Sequence, residues 1–316
     1  MLLAPTTKLE ILKRRAHFLK AVRTFFEERG VLEVDCSAIV AYPPIDSQID
    51  VIEAFPFENQ TAYLHTSPEY AMKRLLSQGL GDQYFLGHVF RKGEKGKLHQ
   101  PEFTMIEWYR VGFTFQQMIE ETADLLRLFL GPLPLQILPY ADAFQQFLTI
   151  DPETVSQSTL LKLTADYFPS QEWDRKALLH LLLTHRIEPQ LGVDCLTALI
   201  DYPPSEAALA QTTKKQGRLV AERFEIYHRG VELTNGYHES PDAEELRRRF
   251  TEDNLDRQKD GKQPYPVDEE FLASLGPTFP DCCGVAVGFD RAFALSQNLS
   301  FIQEGIANPF LIPQTS

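Results

Sequence analysis

Residues Val89 to Arg110 read VFRKGEKGKLHQPEFTMIEWYR, two apolar runs with strand-like alternation on either side of a tip rich in Lys, Gly, Glu and His. A second pair of alternating runs, residues 219–227 and 231–237, surrounds the turn His228-Arg229-Gly230. Strands that arrive as hairpins separated by helical stretches, without regular βαβ alternation, predict an antiparallel sheet with helices packed on it, an α+β fold. No GxGxxG follows a strand, which speaks against a dinucleotide-binding Rossmann unit.

The remaining punctuation agrees. Leu9, Leu12, Ala16, Leu19, Val22 and Phe26 recur at helical spacing and Gly30 supplies a stop, predicting an opening amphipathic helix. Val31 to Val34 and Tyr63 to Thr66 read as short strands, and residues 49–57 alternate loosely. Ser67 is placed to cap, and Pro68 suits the first turn, of a helix ending near Gly79. Thr114 and Gln117 form a capping box for a helix from Phe115 to Leu130, closed by Gly131. Residues 132–190 read as a helical insertion, Leu196 to Ile200 as a strand, and Ser240-Pro241 as the start of a charged helix running to about Asp260. Gly284 to Gly288 is a small-residue strand that feeds a helix at Asp290-Arg291. The expectation is one domain over residues 1–316.

Totals narrow the function. A net charge of −13 argues against a chain held to nucleic acid by general electrostatics. No apolar run approaches a membrane span, and MLLAPTTKLE is not a signal peptide. Cys36, Cys195, Cys282 and Cys283 make no CxxC pair. A cytoplasmic protein without a membrane partner is expected.

Against that acidic background the first hairpin tip is cationic. Arg91 offers planar bidentate hydrogen bonds to a phosphate, and Lys92, Lys95, Lys97 and His99 follow it along a polyphosphate. A solvated turn is the ordinary alternative. In the second hairpin, Glu225 and Glu232 flank the turn, and Glu239 lies further along. Two carboxylates brought together call for a cation, and Mg²⁺ carried by nucleotide phosphates is its natural form. In GVAVGFDRAFAL, Gly284, Ala286 and Gly288 let a flat ligand lie on the strand, and Arg291 reaches a terminal phosphate.

The order of these elements resembles the class II aminoacyl-tRNA synthetases: FRKGE…HQPEFTMIEWY is similar to their motif 2 and GVAVGFDR to their motif 3. TSPEY, HQPEF and VELTNGYHE resemble the lysyl-tRNA synthetase versions, over roughly residues 8–296. With the catalytic domain beginning almost at Met1, no anticodon-binding OB domain is expected. The resemblance is therefore to the stand-alone lysyl-tRNA synthetase-like family that activates (R)-β-lysine with ATP and joins it to a lysine of elongation factor P.

That resemblance implies roles. Arg91 would hold the α-phosphate and Arg291 the γ-phosphate. Lys92, Gly93, Glu94, His99, Gln100, Phe103, Glu232, Leu233 and Gly288 would complete the ATP site, and Glu225 with Glu232 would hold Mg²⁺. Ser67, Pro68 and Glu69 would receive an amino group of the substrate, Glu239 the distal ammonium, and Tyr109, Asn235 and Ala286 would shape the pocket. The family implies a homodimer through the first helix and the strand after it. Three departures stand out: Gly93 replaces the glutamate of Arg-x-Glu, which falls one residue later at Glu94; Gln100 replaces an asparagine; and Ala286 replaces a glycine, a methyl that suits a β-amino acid. Other readings are a tRNA or another amine as acceptor, with −13 and the missing domain against tRNA, and a non-catalytic regulatory subunit, against which stand Arg91, Arg291, Glu225 and Glu232.

Overall fold

Two hairpins dominate the chain, and the strands around them complete a nine-stranded sheet. The computed structural model describes residues 7–167 and 173–310. Its strands are β1 (Leu32–Glu33), β2 (Ile39–Val40), β3 (Ile52–Phe57), β4 (Gln60–Leu64), β5 (Gln83–Phe90), β6 (Glu102–Val111), β7 (Leu135–Pro139), β8 (Leu196–Tyr202), β9 (Thr212–Lys215), β10 (Arg218–His228), β11 (Val231–His238) and β12 (Cys282–Gly288). The α-helices are α1 (Lys8–Glu27), α2 (Glu69–Ser77), α3 (Phe115–Leu130), α4 (Tyr140–Leu148), α5 (Gln157–Thr164), α6 (Arg175–Leu182), α7 (Ala243–Lys259), α8 (Glu269–Ala273) and α9 (Phe289–Gln297). The large sheet runs β1-β5-β6-β12-β11-β10-β8-β7, with β9 paired to β10, and β2-β4-β3 forms a small second sheet. Only β1–β5 and β7–β8 pair in parallel in the large sheet.

Alternation assigns its two faces. Ile106 and Trp108 of β6, Val285 and Val287 of β12, and Phe224 and Ile226 of β10 share one face, which packs with Phe26 of α1, Met118 and Leu125 of α3, and Phe293 of α9. Phe26 stacks on Tyr84 with ring centroids 4.2 Å apart. Each such side chain contributes about 1.5–3 kcal/mol by leaving water. The opposite face carries Glu107, Tyr109, Gly284, Ala286, Gly288 and Asn235, aligned across the strands by the pairs Glu107–Ala286, Tyr109–Gly284 and Asn235–Ala286. It is flanked on one side by an aromatic cluster of α2, α7 and α8, where Tyr70 stacks on Phe271 at 4.0 Å. On the other side the insertion packs Phe144, Leu178 and Leu182 against Leu199, Tyr202 and Tyr227.

Several boundaries differ from expectation. Leu135–Pro139, inside the stretch read as helical, is the edge strand β7; five residues paired on one side only carry too little alternation to read. Residues 168–172 of that insertion lie outside the described residues. Ser67 does not cap α2, whose first turn has no side-chain cap. The charged helix α7 starts later than Ser240-Pro241, because Asp242 accepts the N–H groups of Glu244 and Glu245. The Thr114–Gln117 capping box forms as read.

Candidate active site

A β-bulge builds the acidic wall. On β10 and β11, Glu225 opposes Asn235 and Ile226 opposes Thr234, but Tyr227 opposes Glu232, so β11 holds one extra residue. The extra residue turns Leu233 into the core and Glu232 onto the ligand face. Strict alternation from Asn235 would have done the reverse. Glu232 is thus brought beside Glu225, and its carboxyl is raised, first by burial and then by the Glu225 charge. Glu225 accepts from Tyr202 (2.6 Å), from Tyr227 and from Arg223. Glu188, from the end of the insertion, faces both carboxylates and is pushed up to about 7 by burial, Glu225 and Glu232. Among the described residues no cluster of three His, Cys, Asp or Glu side chains is arranged to hold a metal by itself.

Next to this wall is a cleft lined by Arg91, Glu94, His99, Gln100, Phe103, Glu232, Leu233, Asn235, Ala286, Gly288 and Arg291. Arg291, at the start of α9, donates to the Glu232 carbonyl (3.0 Å) and carboxylate (3.3 Å) and to His99 Nε2 (2.8 Å). Burial and the Arg291 charge lower His99, which fits an acceptor nitrogen. Arg91 lies over the Phe103 ring at 5.1 Å and pairs with Glu94 at 3.6 Å, while its buried Nε has no partner. An unpartnered guanidinium nitrogen at a cleft is a place for an anion.

Two departures from the family pattern acquire causes. Gly93 has φ +79°, a conformation that a glutamate would adopt only under strain, so the carboxylate moves to Glu94. Gln100 is long enough to donate to Gln303 Oε1 (3.2 Å), tying the loop to the C-terminal 3₁₀ turn at Ile302–Gly305. Lys92 is exposed, its N–H bonded to the Asp50 carbonyl (2.7 Å).

Beyond Ala286 and Asn235 the face continues into a buried polar pocket. Glu69 opens α2 directly after Ser67 and Pro68, and Glu239 follows β11. Sequence reasoning missed two members. Glu107, two residues before Tyr109 and therefore on its face, accepts from the Tyr109 hydroxyl (2.8 Å), and its other oxygen has no partner. Lys73, one helical turn after Glu69, lies 2.7 Å from Glu69 and 2.6 Å from Glu239. Burial and then the Glu69 charge push Glu107 up to about 8, and burial, against the pull of Lys73, pushes Glu239 up to about 7. Gly284 is obligatory here, since a Cβ would collide with Glu239 Oε1 and the Tyr109 ring. Arg223 was also missed: it bridges Glu225 and Asn235 Oδ1 (3.3 Å). Both periodicities, two on a strand and four on a helix, hold the signal for these residues.

Sheet and site together define the catalytic fold of a class II aminoacyl-tRNA synthetase. The model of the tRNA synthetases class II (D, K and N) matches residues 2–311, and the chain belongs to this family. It is 41% identical over 310 residues to a protein of Avibacterium paragallinarum named elongation factor P–(R)-β-lysine ligase, covering 96% of each chain. Proteins of the same name from Haemophilus ducreyi and Klebsiella pneumoniae subsp. pneumoniae are also 41% identical, over 310 and 319 residues, covering 96% of this chain and 94% and 96% of theirs. No helix among the described residues is long and apolar enough to cross a membrane.

Proposed function

We propose that this protein activates (R)-β-lysine with ATP as an aminoacyl-adenylate and transfers it to a lysine ε-amine of elongation factor P. The observation that carries the reading is the continuity of one sheet face, from an arginine-lined cleft to a buried carboxylate pocket. The near full-length similarity to the ligases supports it.

In the first step a carboxylate oxygen of the amino acid attacks the α-phosphorus of ATP, forming the mixed anhydride and releasing pyrophosphate. Arg91 takes the α-phosphate, and Arg291 the γ-phosphate after leaving Glu232. Gly288 underlies the nucleotide, while Glu94, His99, Gln100, Phe103 and the backbone of Leu233 shape its seat. Lys92 and Gly93 belong to the loop that closes on it. The protein supplies no nucleophile, so catalysis is positioning and charge stabilisation. Glu225 and Glu232 are hard oxygen donors on adjacent strands that repel one another, a set that fits Mg²⁺ arriving with the nucleotide. Bound there, the ion would neutralise phosphate charge.

Glu69, with Ser67 and Pro68, receives one ammonium of the substrate and Glu239 the other, while Tyr109 and Asn235 orient it and Ala286 limits its shape. In the second step the acceptor amine attacks the anhydride carbonyl, giving an amide and AMP. A homodimer is part of this reading. Intact mass of elongation factor P incubated with the protein, Mg-ATP and (R)-β-lysine should rise by one lysyl residue, and by less with α-lysine. No rise on a competent acceptor would transfer the reading to another amine or to tRNA.

A further inference from the structure

The amino-acid pocket contains a charge that the chemistry above leaves unused. Lys73 is 1% exposed, and its ammonium sits between Glu69 Oε1 and Glu239 Oε2 at 2.7 and 2.6 Å. Burial alone would lower a lysine, but Glu239 and Glu69 outweigh it and keep Lys73 charged. The wall holds three carboxylates, Glu69, Glu107 and Glu239, against this one ammonium. Their surplus of negative charge is therefore two, which is the number of ammonium groups on a diamino acid. Glu107 Oε2 and Glu239 Oε1 remain without a hydrogen-bond partner. Unpaired carboxylate oxygens in a buried site are costly until a donor reaches them.

We propose that Lys73 is a positioning residue that sets substrate charge: it neutralises one of three pocket carboxylates, so that the pocket accepts two substrate ammonium groups and no fewer. It acts through Glu69 and Glu239. The inference rests on the amino-acid activation proposed above and specifies what selects its substrate.

The charged and titratable groups facing the pocket enter the accounting, and from β10 Arg223, bonded to Asn235, is already paired with Glu225. From α2 come Glu69 and Lys73, from β6 Glu107 and Tyr109, and from β12 Cys282, whose thiol burial and Glu239 push up. Tyr237 and His238 precede Glu239 on β11, and Cys36 faces Glu107 from the loop after β1. The neutral tyrosines and thiols add no charge near neutral pH. His238 is raised by its hydrogen bonds to Glu222 and Asp281, two acids outside the pocket that pair with it. The surplus of two therefore stands. With nothing bound, the pocket retains a proton near neutral pH, and a diamino acid displaces it.

The test compares wild type, Lys73→Met and Lys73→Arg in amino-acid-dependent ATP–pyrophosphate exchange across pH, with calorimetric binding of (R)-β-lysine and of norleucine, which lacks the side-chain ammonium. In Lys73→Met the carboxylates keep their protons to higher pH, so binding recovers only as pH rises further. KM for (R)-β-lysine should rise roughly tenfold near neutral pH and the pH at which it improves should move up by about one unit, with KM for ATP unchanged. Lys73→Arg should preserve the pH profile. Equal effects of Met and Arg with the profile unmoved would reduce Lys73 to a structural role and overturn the proposal. If Lys73→Met does not fold, wild type decides alone. Proton release counted in buffers of different ionisation enthalpy should be greater for (R)-β-lysine than for norleucine, and equal release overturns it. Wild type inert with every diamino acid would instead refute the activation reading itself.

Discussion

In the proposed reaction Arg291 is the residue whose partners would change. It is held by Glu232 and His99 and, on the proposed reading, would turn to phosphate when ATP enters. Arg291→Ala should lower pyrophosphate exchange by about 10²–10³-fold, the loss expected for one stabilising donor, while calorimetric affinity for the amino acid stays unchanged. Glu107 makes a prediction about stability. Burial and the Glu69 charge push its carboxyl up to about 8, whereas an unfolded glutamate releases its proton near 4.5. Between those values the native state binds more protons, so this residue withdraws stability as pH rises. Glu107→Gln should therefore raise the melting temperature relative to wild type more at about pH 9 than at about pH 6, measured by thermal denaturation, and should weaken amino-acid binding. Ala286 pairs with both Glu107 and Asn235. Removing its methyl in Ala286→Gly should improve use of α-lysine relative to (R)-β-lysine in exchange assays, and unchanged selectivity would refute that role. Much of this was legible. Arg91, Arg291 and Glu239 were singled out by type and order and Glu69 and Asn235 by the resemblance, whereas Glu107 and Lys73 needed the adjoining elements to show that they share one pocket.

At the level of elements, the bulge on β11 decides where Glu232 points. Deleting Leu233 should remove the bulge, leaving Glu232 opposite Tyr227 on the ligand face but emptying the place that Leu233 fills in the apolar layer against α1, α3 and α9. Losing a buried leucine costs about 2–5 kcal/mol, so the denaturant midpoint should fall. A midpoint equal to wild type would show that Leu233 adds nothing to the core. Hairpins and capped helices were readable because their signals are local: alternation, Gly230 in the turn, and the Thr114–Gln117 box. The bulge was not, since it adds a residue without changing the apolar pattern that a reader counts. The strand β7 escaped for a related reason, being specified by its pairing with β8 more than by its own five residues.

For the whole molecule, β1 lies at one edge of the large sheet, and Leu9, Leu32 and Ile39 expose more than two-fifths of their surface nearby in sequence. An edge with exposed apolar residues invites pairing or cover. In the proposed homodimer this region meets its copy, so light scattering should return about twice the 36.1 kDa chain mass, and Leu32→Glu should shift it toward one. A monomeric wild type would remove the dimer from the proposal. The charge of −13 is a property of the body, while Arg91 and His99 of the motif 2 tip line the cleft.

What the sequence determined by itself was the succession of hairpins and helices, the two arginines proposed to meet phosphate, and the family, because those depend on residue type, spacing and order. Only the tertiary structure decided which carboxylates meet. Glu69 and Lys73 from a helix, Glu107 from β6 and Glu239 after β11 are far apart along the chain, and their charges matter only at the distances that packing sets. Electrostatic energy in a buried pocket varies inversely with separation and steeply with desolvation, and neither quantity is written in a sequence.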